Sequence, residues 1–237
     1  MLFRSGQQST RATIDEARRF AAAGAEAVLV ITPHFYRGAM TQSALTGHYR
    51  RVADASTVPV ILYSVPDLTG IAIAPETVAR LSEHENIIGI KDSSGDLIGL
   101  TETLRLVPDD FAVLTGNGPL LYAALGAGAW GAILAVGCVA ARLCVDIYRA
   151  VEEGDHAHAR EMQRRLTPVA RAVTVRYGIG GLKAALDLLG FAGGPVRAPL
   201  QGASEDVRGE IARLLEEAGL LGEEASGDER HLAGALE

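Results

Sequence analysis

Short apolar runs alternate with amphipathic stretches through the first 139 residues of the chain. The apolar runs lack strict alternation of polar and apolar positions, which indicates strands covered on both faces, as in a parallel sheet. Their centres fall near residues 29, 61, 89, 113 and 133, and this rhythm predicts consecutive βαβ units. The five predicted strands are 27–31, 59–63, 87–91, 111–115 and 131–136.

Helices are predicted between these strands, and helices alone after Val136. Ser9 or Thr10 suits the N-cap of the first helix, and Pro75 suits the first turn of another. The predicted helices are 10–24, 41–55, 75–84, 97–106, 119–125, 140–153, 155–175, 181–189 and 204–219.

This organisation predicts an α/β fold: a partial (β/α)8 barrel over residues 1–139, then a helical region over residues 140–221. The polar, glycine-rich segment 222–237 is expected to be disordered. A doubly wound sheet is an alternative, but its G-x-G-x-x-G fingerprint is missing after the first strand. Side chains with useful chemistry instead follow successive strands, as in barrel active sites: Thr32, Tyr63, Lys91 and Thr115.

Composition narrows the class of protein. Hydrophobic residues make up 48% of the chain and charged residues 22%, which is typical of a soluble globular protein. The net charge of -7 argues against nucleic acid as the main partner. No apolar run approaches the roughly 18 residues of a membrane span. Two cysteines and the lack of a secretory signal predict a reducing, cytoplasmic location, and nothing clusters with the cysteines as metal ligands.

Lys91 ends the third apolar run, and Tyr63 stands 28 residues earlier, one βα unit away. An amine among apolar residues loses hydration, which favours its neutral form, and a neutral amine condenses with ketones to a Schiff base. A phenol on the neighbouring strand at the same height could shuttle the protons. Two simpler interpretations stay open: Lys91 extends its charged end to the strand terminus, and Tyr63 keeps its hydroxyl in solvent.

Alternation along a strand places Gly89 and Ser93 on the side of Lys91, and Asp92 on the other. Gly89 would then leave room beneath the lysine stem. Ser93 could hydrogen-bond the amine or a substrate.

Several motifs together resemble the signature of the dihydrodipicolinate synthase / N-acetylneuraminate lyase family, over about residues 9–221. Within the family, the resemblance is closest to the 4-hydroxy-2-oxoglutarate aldolases. The motifs are Tyr63-Ser-Val-Pro66, Thr69-Gly70, Gly89-Ile-Lys91-Asp-Ser93-Ser-Gly-Asp96 and, for the aldolases, Tyr36-Arg37-Gly38 and Gly193-Gly-Pro-Val-Arg-Ala-Pro-Leu200.

The resemblance implies a (β/α)8 barrel with a C-terminal helical domain, assembled as a dimer of dimers. It implies a class I aldolase that cleaves a 4-hydroxy-2-oxo acid, such as 4-hydroxy-2-oxoglutarate, to pyruvate and glyoxylate, without a metal or organic cofactor. Lys91 would be the Schiff-base lysine and Tyr63 the proton shuttle. Ser93, Gly116 and Ile133 would contact the substrate, the last through its backbone carbonyl.

Some features depart from the family pattern. The family begins with two strand–helix units, the second carrying a G-[ST]-x-G-E loop, and we find no such loop here. We therefore expect an N-terminally truncated chain that is nearly inactive alone, with residues 1–6 either a remnant of the third strand or sequence from a misplaced start. Phe35 stands where the family usually has a tyrosine, and Leu68 replaces an arginine of the synthases.

Alternative functions follow from these departures. One is another reaction of the same family, that of a dihydrodipicolinate synthase, which Leu68 disfavours, or of a sugar-acid lyase. The other is a non-catalytic protein that binds 2-oxo acids, because the loop is missing and phenylalanine cannot relay a proton.

Overall fold

The computed structural model describes residues 1–221, which belong to two compact units, Met1–Leu134 and the residues from Ala135 onward. The first unit contains a six-stranded parallel sheet whose strands lie in chain order. The strands are β1 (Leu2–Ser5), β2 (Ala27–Ile31), β3 (Val60–Ser64), β4 (Ile87–Asp92), β5 (Ala112–Thr115) and β6 (Gly131–Ala132).

All five predicted strands are confirmed, with one difference in length and one addition. The last strand was predicted over 131–136 but covers only Gly131–Ala132, because the chain leaves the sheet there and a helix begins at Gly137. Residues 2–5 form the additional strand β1, which pairs in parallel with β2.

Several helices of the first unit begin where a side chain accepts a hydrogen bond from a free backbone amide of the first turn, or where proline removes the need for one. The Ser9 hydroxyl accepts a hydrogen bond from the Ala12 amide, Thr41 does the same for Ala44, and Pro75 occupies the first turn of its helix. The helices are α1 (Thr10–Ala22), α2 (Gln42–Ala55), α3 (Pro66–Thr69), α4 (Pro75–Ser82), α5 (Leu97–Leu106) and α6 (Leu121–Gly126).

The core of this unit lies between the helices and one face of the sheet, here called the outer face. Leu62 and Ile90 of the sheet are buried against Leu45, Tyr49 and other helix residues. Burial of one such side chain contributes about 1.5–3 kcal/mol. The buried Tyr49 hydroxyl donates to the Val30 carbonyl, so its polar group has a partner inside the core.

The opposite face, here called the inner face, carries the residues that alternate with this core. The strand registers place Leu29 beside Ile61, and Ile31 beside Tyr63. Lys91 lies beside Tyr63, so it belongs to the inner face.

The second unit is helical in its described part. Its helices are α7 (Gly137–Glu152), α8 (His156–Ala170), α9 (Gly178–Leu188) and α10 (Glu205–Glu217), with a π-helical segment at Arg171–Arg176. The predicted helices are thus confirmed, although α7 begins three residues early and is kinked at Ala140. The predicted tail at 222–237 lies outside the described residues.

None of the helices within residues 1–221 has the length and apolarity that a bilayer crossing requires.

Candidate active site

Lys91 and Tyr63 lie side by side on neighbouring strands, as the spacing predicted. The two residues are register partners, and the lysine Nζ lies 4.3 Å from the centroid of the tyrosine ring. Both side chains are half-buried. Lys91 stands near the carboxyl end of β4, so its side chain is partly accessible rather than fully buried.

A β-bulge in β4 determines which way Lys91 points. Val60 pairs with Ile87, but the next residue, Ile61, pairs with Gly89, so Ile88 has no register partner on β3. Regular pairing from Val60 would put Lys91 opposite Ser64 on the outer face. The bulge shifts the register by one residue and turns Lys91 to the inner face, which is a recognised use of bulges near active sites.

The lysine nitrogen above the aromatic face has an electrostatic consequence. The face of a tyrosine ring attracts a cation within about 6 Å of its centroid. The same geometry would stabilise a protonated imine formed on Lys91, because that species also carries a positive charge at the nitrogen. The pair thus combines a nucleophile, a phenol and a surface that favours the charged intermediate.

Ser93 and Gly116 complete the contacts around Lys91. A Cβ atom added at Gly116 would lie 1.8 Å from Ser93 Oγ and 2.8 Å from Lys91 Cε. The Gly116 amide donates to the Asp92 carbonyl at 2.6 Å, which fixes this close approach. Ser93 therefore shares the side of Lys91, as predicted, and only glycine fits at 116 without displacing it.

Ile133 is less directly connected to this group. It is half-buried, and its amide donates to the Thr115 carbonyl at 3.0 Å. It therefore lies beside the end of β5, next to Thr115, the residue that precedes Gly116.

The expected reason for Gly89 is wrong. A Cβ atom at this position would lie 2.5 Å from the Ala112 carbonyl oxygen and 3.0 Å from Ala112 Cβ. Glycine is required because the backbone of β5 approaches closely at this point, rather than to make room for the lysine stem.

Asp92 points away from Lys91, as predicted. Its carboxylate accepts a hydrogen bond from the Ser94 amide at 2.7 Å, and burial raises the pKa of this carboxyl. With Ser64 and Thr103 it lines a cavity of about 110 Å³ on the outer side of the sheet. Asp92 thus shapes the turn that carries Ser93 without reaching the inner face.

Phe35 and Leu68, two departures from the family pattern, are both exposed, each with 75% of its surface accessible: Phe35 lies in the turn after β2 and Leu68 in the short helix α3. Phe35 packs edge-to-face with Tyr36, with ring centroids 5.0 Å apart. The Arg37 side chain lies against Gly70, within 3.1 Å of the position a Cβ atom would take there.

Gln8 holds two loops at this end of the sheet together, a role that the sequence pattern did not reveal. Its side-chain oxygen accepts hydrogen bonds from the amides of His34 at 2.8 Å and Phe35 at 2.9 Å. Gln8 thereby ties the loop after β1 to the loop after β2. A single glutamine in a polar loop carries no sequence signal that would identify this role.

Two further features mark what the site does not include. A surface depression of about 700 Å³ is lined by Asp54, His84 and Asn86 among others, and it lies near the amino end of β4, away from the Lys91 end. Within residues 1–221, no three His, Cys, Asp or Glu side chains converge to hold a metal ion.

A parallel α/β sheet with a lysine and a tyrosine paired at its carboxyl edge is the arrangement expected of a lysine-dependent carbon–carbon lyase. Comparison with known proteins agrees. Residues 1–218 match the model of the Dihydrodipicolinate synthetase family. The chain belongs to this family.

Individual relatives extend this result. The 4-hydroxy-tetrahydrodipicolinate synthase of Methanothrix thermoacetophila is 37% identical over 212 residues, which is 89% of this chain and 71% of the relative. The dihydrodipicolinate synthase of Thermotoga maritima superposes with a TM-score of 0.88 at 32% identity, over 93% of this chain and 75% of that one. The chloride-inhibited dihydrodipicolinate synthase of Acinetobacter baumannii, complexed with pyruvate, gives 0.87 at 27% identity and the same two coverages.

These comparisons confirm the predicted family and enzyme class, a carbon–carbon lyase, and show that the six-stranded sheet and helical C-terminus match the barrel fold of the family. On the reaction, they favour the synthase alternative over the predicted 4-hydroxy-2-oxoglutarate aldolase, because the relatives are named synthases.

Proposed function

We propose that this chain is a Schiff-base enzyme that joins pyruvate to an aldehyde, as a 4-hydroxy-tetrahydrodipicolinate synthase. The observation that carries the proposal is the lysine Nζ of Lys91, 4.3 Å above the ring of Tyr63. The names of the relatives support the synthase reaction, and the pyruvate complex of one structural relative supports the choice of 2-oxo acid.

The first step is imine formation. Lys91 Nζ attacks the C2 carbonyl carbon of pyruvate, and the resulting carbinolamine loses water to give a protonated imine. The Tyr63 hydroxyl supplies and removes the protons of these steps. The imine nitrogen then accepts an electron pair when a proton leaves C3, which yields an enamine, so the lysine itself performs the role of a cofactor.

The second step forms the carbon–carbon bond. C3 of the enamine attacks the aldehyde carbon, whose oxygen takes up a proton, and the imine is regenerated. Hydrolysis of that imine, or its displacement by an amine within the product, frees Lys91 for another cycle. The same steps run in reverse in an aldolase.

The neighbouring residues would position the 2-oxo acid. The Ser93 hydroxyl, in contact with the space beside Lys91 Cε, would donate to the substrate. Gly116 keeps that space open, and the Ile133 carbonyl would face the bound acid from the end of the adjoining strand.

A second candidate is the 4-hydroxy-2-oxoglutarate aldolase reaction. The observation in its favour is Leu68, an exposed apolar side chain where a synthase would present an arginine to the second substrate. Both candidates share the Lys91 imine with pyruvate and differ in the aldehyde.

Chemical trapping tests the shared step. The chain contains only two lysines, Lys91 and Lys183, so an adduct is easily assigned. Pyruvate plus sodium borohydride should add one reduced pyruvyl group, detected by intact mass and assigned to Lys91 by peptide mapping. Lys91→Arg should abolish the adduct, whereas the matched variant Lys183→Arg should retain it.

The absence of any adduct on a folded sample would overturn the proposal, and an adduct on Lys183 instead would do the same. Two assays then separate the candidates. Formation of 4-hydroxy-tetrahydrodipicolinate supports the synthase, and release of pyruvate from 4-hydroxy-2-oxoglutarate supports the aldolase.

A further inference from the structure

Arg4 is a cation that stands on the inner face of the sheet. Its two neighbours in β1 both face the helices: Phe3 stacks on Phe20 of α1 with centroids 5.0 Å apart, and the Ser5 hydroxyl donates to Glu16 at 2.6 Å. Because successive side chains in a strand alternate, Arg4 projects to the opposite side.

The strand registers place Arg4 on the same face as Lys91. Arg4 pairs with Leu29, Leu29 with Ile61, and Ile61 with Gly89, which is two positions before Lys91. The two residues are therefore three strand spacings of about 4.8 Å apart across the sheet and about 7 Å apart along it. Inner side chains of a barrel-type sheet converge toward its axis, which shortens the gap between their ends.

The inner face is otherwise uncharged. Within residues 1–221, the strand positions of this face hold three ionisable side chains: Arg4, Tyr63 and Lys91. Arg4 makes no salt bridge with the described residues. The remaining strand positions are Leu2, Ala27, Leu29, Ile31, Ile61, Gly89, Ala112, Leu114 and Gly131.

A bound 2-oxo acid would bring a carboxylate to this apolar surface. An anion that leaves water needs a charged or hydrogen-bonding partner, and a guanidinium offers two parallel N–H donors to a carboxylate. The protonated imine of Lys91 keeps a positive charge, but it has a single N–H and cannot offer the carboxylate two parallel donors.

We propose that Arg4 binds the carboxylate of the 2-oxo acid and thereby selects 2-oxo acids over neutral ketones. This inference rests on the proposed function, since it assigns the acid group of the compound that condenses with Lys91.

The test compares pyruvate with methyl pyruvate, which has the same ketone and no carboxylate. Borohydride trapping on the full chain gives the half-saturating concentration of each compound. In Arg4→Gln this concentration should rise roughly 10- to 100-fold for pyruvate and change less than about twofold for methyl pyruvate. Arg4→Lys should recover part of the difference, because it keeps the charge but not the paired donors.

Arg11→Gln, an exposed arginine of α1, provides the matched control for net charge and should leave both values unchanged. Equal shifts for the two compounds in Arg4→Gln, or no shift for either, would overturn the assignment of Arg4. Failure of the wild-type chain to trap either compound would instead contradict the proposed function itself, so the two failures are distinguishable.

Discussion

The outer and inner faces of the sheet differ in what their side chains do, although each strand supplies residues to both. In β4, Ile90 is buried in the core, and the next residue, Lys91, lies over the Tyr63 ring. The outer face is closed by helices and holds the unit together. The inner face carries the candidate chemistry on half-buried residues. Stability and activity should therefore respond to different substitutions in the same strands.

The largest expected difference between the two faces is in kcat, when one tyrosine on each face is replaced by phenylalanine. Tyr63→Phe on the inner face should lower kcat by about 10²- to 10⁴-fold, because it removes the proposed proton shuttle. Tyr49→Phe on the outer face should keep kcat and lose about 1 kcal/mol of stability with its bond to the Val30 carbonyl. Steady-state kinetics and urea unfolding of both variants check this. Equal kcat values for the two would remove the distinction.

The complementary change is Leu62→Ala in the core. It should lower the free energy of unfolding by about 2–5 kcal/mol, because it leaves a cavity in a fully buried site. The rate of imine trapping per folded molecule should stay at the wild-type value at low temperature. A large loss of trapping in a sample shown to be folded by circular dichroism would mean that the two faces are coupled.

His48 of α2 should make the helical layer sensitive to acid. Burial lowers its pKa from 6.5 to about 4, with its Nδ1 3.0 Å from the Thr10 hydroxyl. Between these values the unfolded chain binds a proton that the folded chain does not. The contribution of His48 to the free energy of unfolding is therefore fully present above pH 6.5. It is lost as the pH falls from 6.5 through about 4, by about 3 kcal/mol in total.

The variant His48→Gln should lack this part of the pH dependence. Urea unfolding at several pH values from 4.5 to 7.5 would show a flatter curve for the variant. Parallel curves for the two proteins would assign the acid sensitivity to other groups.

The smallest expected effect comes from Gly116→Ala. The new methyl group would collide with the Ser93 hydroxyl, so Ser93 must move and activity should fall about 10- to 100-fold, with little change in melting temperature. Gly47→Ala in α2 is the matched control, since nothing lies within 4 Å of its added carbon. Activity that falls equally in both variants would argue against a special role for the space at 116.

The sequence could predict that Lys91 and Tyr63 stand near the ends of neighbouring strands, because one βα unit separates them. It could not predict the β-bulge at Ile88, which brings the two side chains to the same face. It could also predict most elements, since apolar runs and N-caps are local signals. It could not predict the true reason for Gly89 or the ties made by Gln8, because both depend on segments that meet only in the folded chain. The early end of β6 at Ala132 was not predicted, because residues 133–136 remain apolar after leaving the sheet.

The unpaired Ile88 has a consequence for length changes within β4. Deletion of that one residue would let the strand run straight, with Gly89 following Ile87 in the register, so the amine would stay beside the phenol. Insertion of one residue between Ile90 and Lys91, with the bulge kept, would instead place the amine opposite Ser64 and turn it into the hydrocarbon layer under the helices. The loss of one codon at 88 and the gain of one codon before Lys91 should therefore have opposite consequences for the reagent, although neither alters any other amino acid.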